Sequence, residues 1–209
     1  LADQARKNRN LKEELSITNQ ILSIISSFDN FDGTINSYLA IIDKYSKYPE
    51  NQNQSILRII ARIAIIKSKL QEYDFAINLF EGIIKVSEKY YDKHKLDLPF
   101  YYSELGYIYD EIGNYGKAEV LFENSLSINE SESGEYYSET ATDLNNLGIL
   151  YLNQGLYLKA KDFIERSVNI SRKIYKKNDP SLITPLLNLA TVYEELDLYY
   201  YGELDYFNR

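Results

Sequence analysis

The sequence predicts an all-α solenoid built from helix hairpins. Three observations predict it: an internal period of forty-two residues, an apolar pattern with helical spacing on both halves of each period, and a glycine-bearing break between the halves. The period is the strongest signal. Ala64, Gly106, Gly148 and Ala190 are each forty-two residues apart, as are Tyr73, Tyr115, Tyr157 and Tyr199. Ala76, Ala118, Ala160 and Gly202 form a third series, and Phe80, Phe122, Ile164 and Tyr206 a fourth. One further step back reaches Leu22, Phe31, Thr34 and Tyr38, where only the aromatic positions persist. A terminal repeat packs on one side only, so relaxed rules are expected there.

The helical halves follow from spacing. Leu144, Leu147, Gly148, Tyr151 and Leu152 recur as on one face of a helix. "NQGLY" interrupts them, with Gly155 placed to end the helix in the left-handed conformation. A second helix is expected from about Tyr157 to Tyr175, burying Ala160, Phe163, Ile164, Ser167, Val168 and Ile170. "KKNDPS" stops it, since Pro180 cannot sit in a helix interior. The preceding period repeats this plan with "EIGNY" as its break. Gly148 on one helix and Ala160 on the next let two backbones approach at the crossing, while Tyr151 and Phe163 fill the space where the helices diverge. One hairpin cannot bury its apolar face alone, so neighbours must stack into a continuous core.

Composition narrows the function. The net charge is −8, which disfavours nucleic acid and anionic membrane, both of which need a positive surface. There are no cysteines and one histidine, His94, in the linker "YYDKHKLDLPF". Disulfides, thiolate or multi-histidine metal sites and a cysteine nucleophile are excluded. No Walker loop, serine elbow or dinucleotide fingerprint occurs, so no enzyme, catalytic residue or cofactor is expected. No stretch reaches the length of a membrane span, and the polar start "LADQARKNRNLKEEL" is not a secretory signal. A cytoplasmic location is the default. The missing initiator Met points to a trimmed N-terminus. The 21 tyrosines are read as packing aromatics with wet hydroxyls, in a chain without Trp or Met.

The segments "LNNLGILYLNQGLYLKAKDFIERSV" and "SELGYIYDEIGNYGKAEVLFENSL" resemble the tetratricopeptide repeat family nearly in full. "IARIAIIKSKLQEYDFAINLFEGII" matches well in its second helix, with Lys67 in place of the usual Tyr. The period, "LNNLG" and the Asp179-Pro180 linker resemble the long-helix subtype of kinesin light chains. The resemblance implies a right-handed superhelix of about five repeats over residues 15–209, starting near 15, 57, 99, 141 and 183, after a polar helical extension over 1–14. In the last repeat, "LYYYGELDYFNR" is expected to begin a second helix that is cut short. A fragment of a longer protein, further repeats or domains, or a homodimer at this end would account for that.

The resemblance also implies a concave groove lined by the first helix of each repeat. Its positions fall on Asn19 and Ser23, then on Ala61, Ile65 and Lys69, and then on Ser103, Tyr107, Asp110 and Glu111. The fourth repeat contributes Asn145, Ile149, Leu152 and Asn153, and the fifth Leu187, Thr191, Glu194 and Glu195. Lys69 is the only cation among them, and the family's carboxylate clamp is not reproduced. From Pro99 onward there are 9 Lys and Arg against 18 Asp and Glu. A basic partner segment is therefore favoured at this end. Asn145 and Asn153 carry amides that can both donate to and accept from a peptide backbone. Tyr107 is a candidate anchor, although packing is its commoner role. Asp110 and Glu111 point about 100 degrees apart and form no acid/base pair. The leading expectation is a protein-interaction module taking a peptide or helix. The alternative is a ligand- or peptide-sensing segment of a larger signalling or effector protein.

Overall fold

A computed structural model describes residues 50–90, 97–133 and 137–207. Asn19, Ser23, His94, the extension over 1–14 and the degenerate first repeat lie outside the described residues. Seven α-helices and one 3-10 turn make up the ordered elements among the described residues. They are α1 (Glu50–Lys69), α2 (Tyr73–Tyr90), α3 (Leu98–Glu111), α4 (Tyr115–Ser133), α5 (Ser138–Asn153), α6 (Tyr157–Ile174), the 3-10 turn Pro180–Leu182 and α7 (Ile183–Phe207). The chain divides into two compact units, residues 1–96 and 97–209.

In the first unit α1 and α2 form one hairpin. Leu57, Ile60, Ala61 and Ala64 of α1 are buried with Ala76, Leu79, Phe80 and Ile83 of α2. The turn closes by two backbone bonds, Gln71 N–H to Ser68 O at 2.8 Å and Glu72 N–H to Lys67 O at 3.0 Å. This is a Schellman cap with Gln71 at φ 62°. A non-glycine residue in the left-handed region is uncommon, so the packed hairpin here overrides a local preference.

The second unit contains the hairpins α3–α4 and α5–α6 and then α7. The two turns repeat the cap of the first unit with glycine at its left-handed position. Gly113 (φ 75°) donates to Asp110 O and Asn114 to Tyr109 O, while Gly155 (φ 71°) donates to Leu152 O and Leu156 to Tyr151 O. The helices meet closely at the small residues. A Cβ at Gly148 would overlap the Ile164 side chain and lie 3.3 Å from Ala160 O. At Gly106 it would fall 2.7 Å from the Phe122 ring. The crossing predicted at Gly148 and Ala160 is therefore present, with Ile164 as the side chain that fills the gap. Tyr151 and Phe163 pack against each other, ring centroids 5.3 Å apart.

The expected fifth hairpin is a correction. No turn follows Glu195: α7 continues unbroken from Ile183 to Phe207. At the position of Gly113 and Gly155 the chain has Asp197, which has no glycine's freedom to enter the left-handed region. Before α7, the Asp179 side chain accepts from Ser181 N–H at 2.9 Å and starts the Pro180 turn. That bond holds its carboxyl below the usual aspartate range.

Candidate functional site

In the second unit, α3, α5 and α7 carry the predicted groove positions from residue 103 onward. Their side chains join in a polar ladder between residues 39 to 43 apart in sequence. Ser103 Oγ lies 3.1 Å from Asp143 Oδ1, and Tyr107 donates its hydroxyl proton to Asn146 Oδ1. Asn153 Nδ2 donates to Asp110 at 3.0 and 3.3 Å, and Asn188 Nδ2 to Asn145 Oδ1 at 2.9 Å. The structure thus brings Asp110 and Asn153 together, and Asn145 is joined to a residue that was not predicted. The two asparagines offered for peptide recognition each already hold one bond to a neighbouring helix.

The remaining predicted residues fall in different settings. Tyr107 is 39% exposed, and its ring stands edge-on to Phe122 at 5.3 Å. It is an aromatic fixed at both ends with one side open. Burial pushes its phenol up to about 12, with Glu104 and Asp143 repelling the anion. Glu111, Asn153, Thr191 and Glu194 are exposed, and Ile149 and Leu152 are half-buried. Asp110 is half-buried, and burial raises its carboxyl above the usual range. Leu187 is 62% exposed. Lys69 is exposed on the last turn of α1 in the first unit. Ala61, also read as a groove position, is 1% exposed and belongs to the core of that unit.

Sequence reasoning missed the centre of this arrangement, Asp143. It is buried at 3% exposure, yet its carboxylate has three polar neighbours. Ser125 Oγ is at 2.8 Å and Ser103 Oγ at 3.1 Å from Oδ1, and Asn129 Nδ2 donates to Oδ2 at 2.6 Å. Desolvation nonetheless raises its pKa, and the three bonds offset only part of the effect. A signal existed: Asp143 precedes Leu147 by four and Leu150 by seven, on the buried stripe of α5. Asn146 shares this region, and its Nδ2 is buried with no hydrogen-bond partner.

A second feature recurs at the turns. Lys117 Nζ lies 4.6 Å from the Tyr109 ring centroid, and Lys159 Nζ 4.9 Å from that of Tyr151. In the first unit the roles are exchanged, with Lys67 Nζ 5.2 Å from the Phe75 ring. Lys67, Tyr109 and Tyr151 share one register position, and Phe75, Lys117 and Lys159 the other. The substitution at Lys67 is matched by its partner across the turn, so the cation–aromatic pair survives. Lys67 also pairs with Glu72 at 2.6 Å. Phenol–carboxylate bonds complete the pattern: Tyr151 donates to Glu119 and Tyr193 to Glu165. Burial, and then the bond to Glu119, raise the Tyr151 phenol, so it remains a donor at neutral pH.

Among the described residues no helix is long and apolar enough to cross a membrane, and no group of three His, Cys, Asp or Glu could hold a metal ion. The ladder is flanked by exposed polar and apolar side chains, Glu111, Leu187, Thr191 and Glu194 among them.

A family model described as tetratricopeptide repeat matches residues 55–131 and 139–199. Among curated proteins none matches the chain in sequence. Solved structures of similar fold include BtubC (BKLC) from P. vanneervenii, at 19% identity and a TM-score of 0.68, covering 92% of this chain and 82% of that one. A Podospora anserina putative kinesin light chain with nearly identical repeats is 15% identical, with a TM-score of 0.62 and coverage of 93% and 90%. The Sgt2 tetratricopeptide domain from Aspergillus fumigatus is 16% identical at a TM-score of 0.50, covering 70% and 83%. At these identities the likeness is one of fold.

Proposed function

The chain belongs to the tetratricopeptide repeat family, a non-catalytic protein-interaction fold, and from that premise we propose that the second unit takes a basic peptide or helix of a protein partner on the face lined by α3, α5 and α7. The observation that carries this reading is the exposed acidic and polar set Glu111 on α3, Asn153 on α5 and Thr191 and Glu194 on α7, together with the fixed, one-sided ring of Tyr107 on α3. A rigid aromatic loses little conformational freedom on binding, and the exposed carboxylates on α3 and α7 favour a cationic partner. Asp110 supports the same choice: its carboxylate is partly desolvated, so a nearby Lys or Arg would stabilise its charge.

The test begins with peptides selected on the wild-type chain from a random displayed library. Basic residues should be enriched, and binding should weaken as salt rises. The combined variant Asp110→Asn, Glu111→Gln, Glu194→Gln and Glu195→Gln should lose at least about tenfold in affinity and most of the salt dependence. Selected peptides without basic enrichment, bound equally by the variant, would refute the electrostatic reading.

The ladder favours a second reading, a ligand-sensing segment of a larger signalling or effector protein. A ligand that takes the Asn153 or Asn145 amide competes with a bond between first helices, so occupancy would alter how α3, α5 and α7 pack. Small-angle scattering with and without a selected peptide tests it: a sensor changes its profile and a static binder does not.

A further inference from the structure

The buried face of α5 is open on α7. In α5 the register positions Ala141, Leu144, Gly148 and Tyr151 are all buried. At Gly148 the cover is α6, through Ile164 and Ala160. Forty-two residues later stand Ile183, Leu186, Ala190 and Tyr193. Ile183 is 57% and Tyr193 44% exposed, Ala190 is exposed and Leu186 half-buried. The face retains the apolar chemistry of a hairpin, and among the described residues no helix covers it.

The chain contains a segment with the register of that missing helix. Tyr199, Gly202 and Tyr206 follow Tyr157, Ala160 and Ile164 by the same forty-two residues, and Ala160 and Ile164 are the residues that meet Gly148. In the structure this segment does not fold back. It continues α7 away from the face it matches, because α7 runs through Asp197 without the left-handed turn found at Gly113 and Gly155. The register of the face and the register of its cover are both kept, and only the connection between them has changed.

We propose that the open face of α7 is a docking site for residues 199–207 of a second copy of this chain, exchanged reciprocally so that each copy completes the other's last hairpin. A second copy needs no turn at Asp197, so the straight helix is compatible with the contact. Gly202 of one copy meets Ala190 of the other, small residue against small residue, as Ala160 meets Gly148 within the chain. The docking residues Ile183, Leu186, Ala190 and Tyr193 are not among those proposed for the peptide, so cross-linking and peptide selection read different side chains and either can fail alone.

The absence of native cysteines makes the test direct. Two variants of this chain, Ala190→Cys and Gly202→Cys, carrying tags of different size, are mixed and oxidised. The expected product is the mixed two-chain disulfide in excess over either homodisulfide. The double variant should cross-link between chains. A double variant that closes only within one chain, or no cross-link at all, overturns the proposal. Sedimentation of the untagged wild type should show a concentration-dependent dimer. Ala190→Arg, at an exposed position, should raise the dimer dissociation constant at least about tenfold with an unchanged helical signal. A wild type that stays monomeric up to its highest soluble concentration overturns it as well.

Discussion

The α5–α6 hairpin and α7 share a forty-two-residue register and end differently. α5 stops at Asn153, turns through Gly155 at φ 71° and is covered by α6. α7 reaches the matching point at Asp197 and continues to Phe207. The α1–α2 hairpin shows that glycine is not strictly required, since Gln71 makes the same turn at φ 62°. Position in the repeat therefore specifies which face of a helix is apolar, and turn chemistry together with packing across the turn decides whether that face is closed within the chain.

The sharpest way to break this comparison is one substitution placed at both register positions. Gly148→Leu should destabilise by about 3 kcal/mol, because the new side chain must displace Ile164 and the backbone near Ala160. Ala190→Leu should stay within about 0.5 kcal/mol in dilute solution, since Ala190 is exposed. Urea unfolding of both variants reads the difference. Equal costs would mean that the α7 face is covered even in the isolated chain.

The next effect concerns a network that α5 has and α7 lacks, because Pro185 stands at the register position of Asp143. Asp143→Ala should cost about 2 kcal/mol, chiefly by leaving Asn129 without its acceptor. The pH dependence has a definite sign. Desolvation raises the folded-state pKa of Asp143 above its ordinary 3.8, so the folded chain holds its proton to higher pH than the unfolded chain. Its contribution is therefore full below the ordinary value and is lost as pH rises through the raised one. Asp143→Asn should remove that slope, and urea midpoints measured across the acid range check it.

The smallest effect sharpens the comparison between the turns. Lys67→Tyr or Phe75→Lys alone should cost about 0.5 kcal/mol, while the double exchange should recover most of the loss by rebuilding the arrangement of Tyr109 with Lys117. A coupling energy near zero in the double-mutant cycle would leave the exchanged pair without energetic meaning.

Much of the fold was legible because its signals are periodic. Gly106, Gly148, Ala118 and Ala160 repeat at one interval, and a small residue at a helix crossing is a local requirement that any single repeat displays. The candidate site was less legible. Asp143 is held by Ser103, Ser125 and Asn129, which lie 40, 18 and 14 residues away on two other helices. No interval links those residue types, so "TATDLNNLG" shows only one acidic residue on a helix. Lys67 was visible as a departure from the repeat, but its compensation by Phe75 requires knowing that the two sit across a turn from each other.

What the sequence determined by itself is the hairpin unit, because helical periodicity, small residues at the crossing and a glycine turn act over a few residues and need no distant partner. It also determined the acidic balance of the chain from Pro99 onward. Only the tertiary structure decided which polar groups are already bonded between helices, that Ala61 and Asp143 are buried, and that α7 runs straight. Those outcomes depend on whether residues forty positions apart come within hydrogen-bond distance, and on whether packing across a turn outweighs continuation of the helix. Both are balances of burial and backbone conformation that no single repeat encodes.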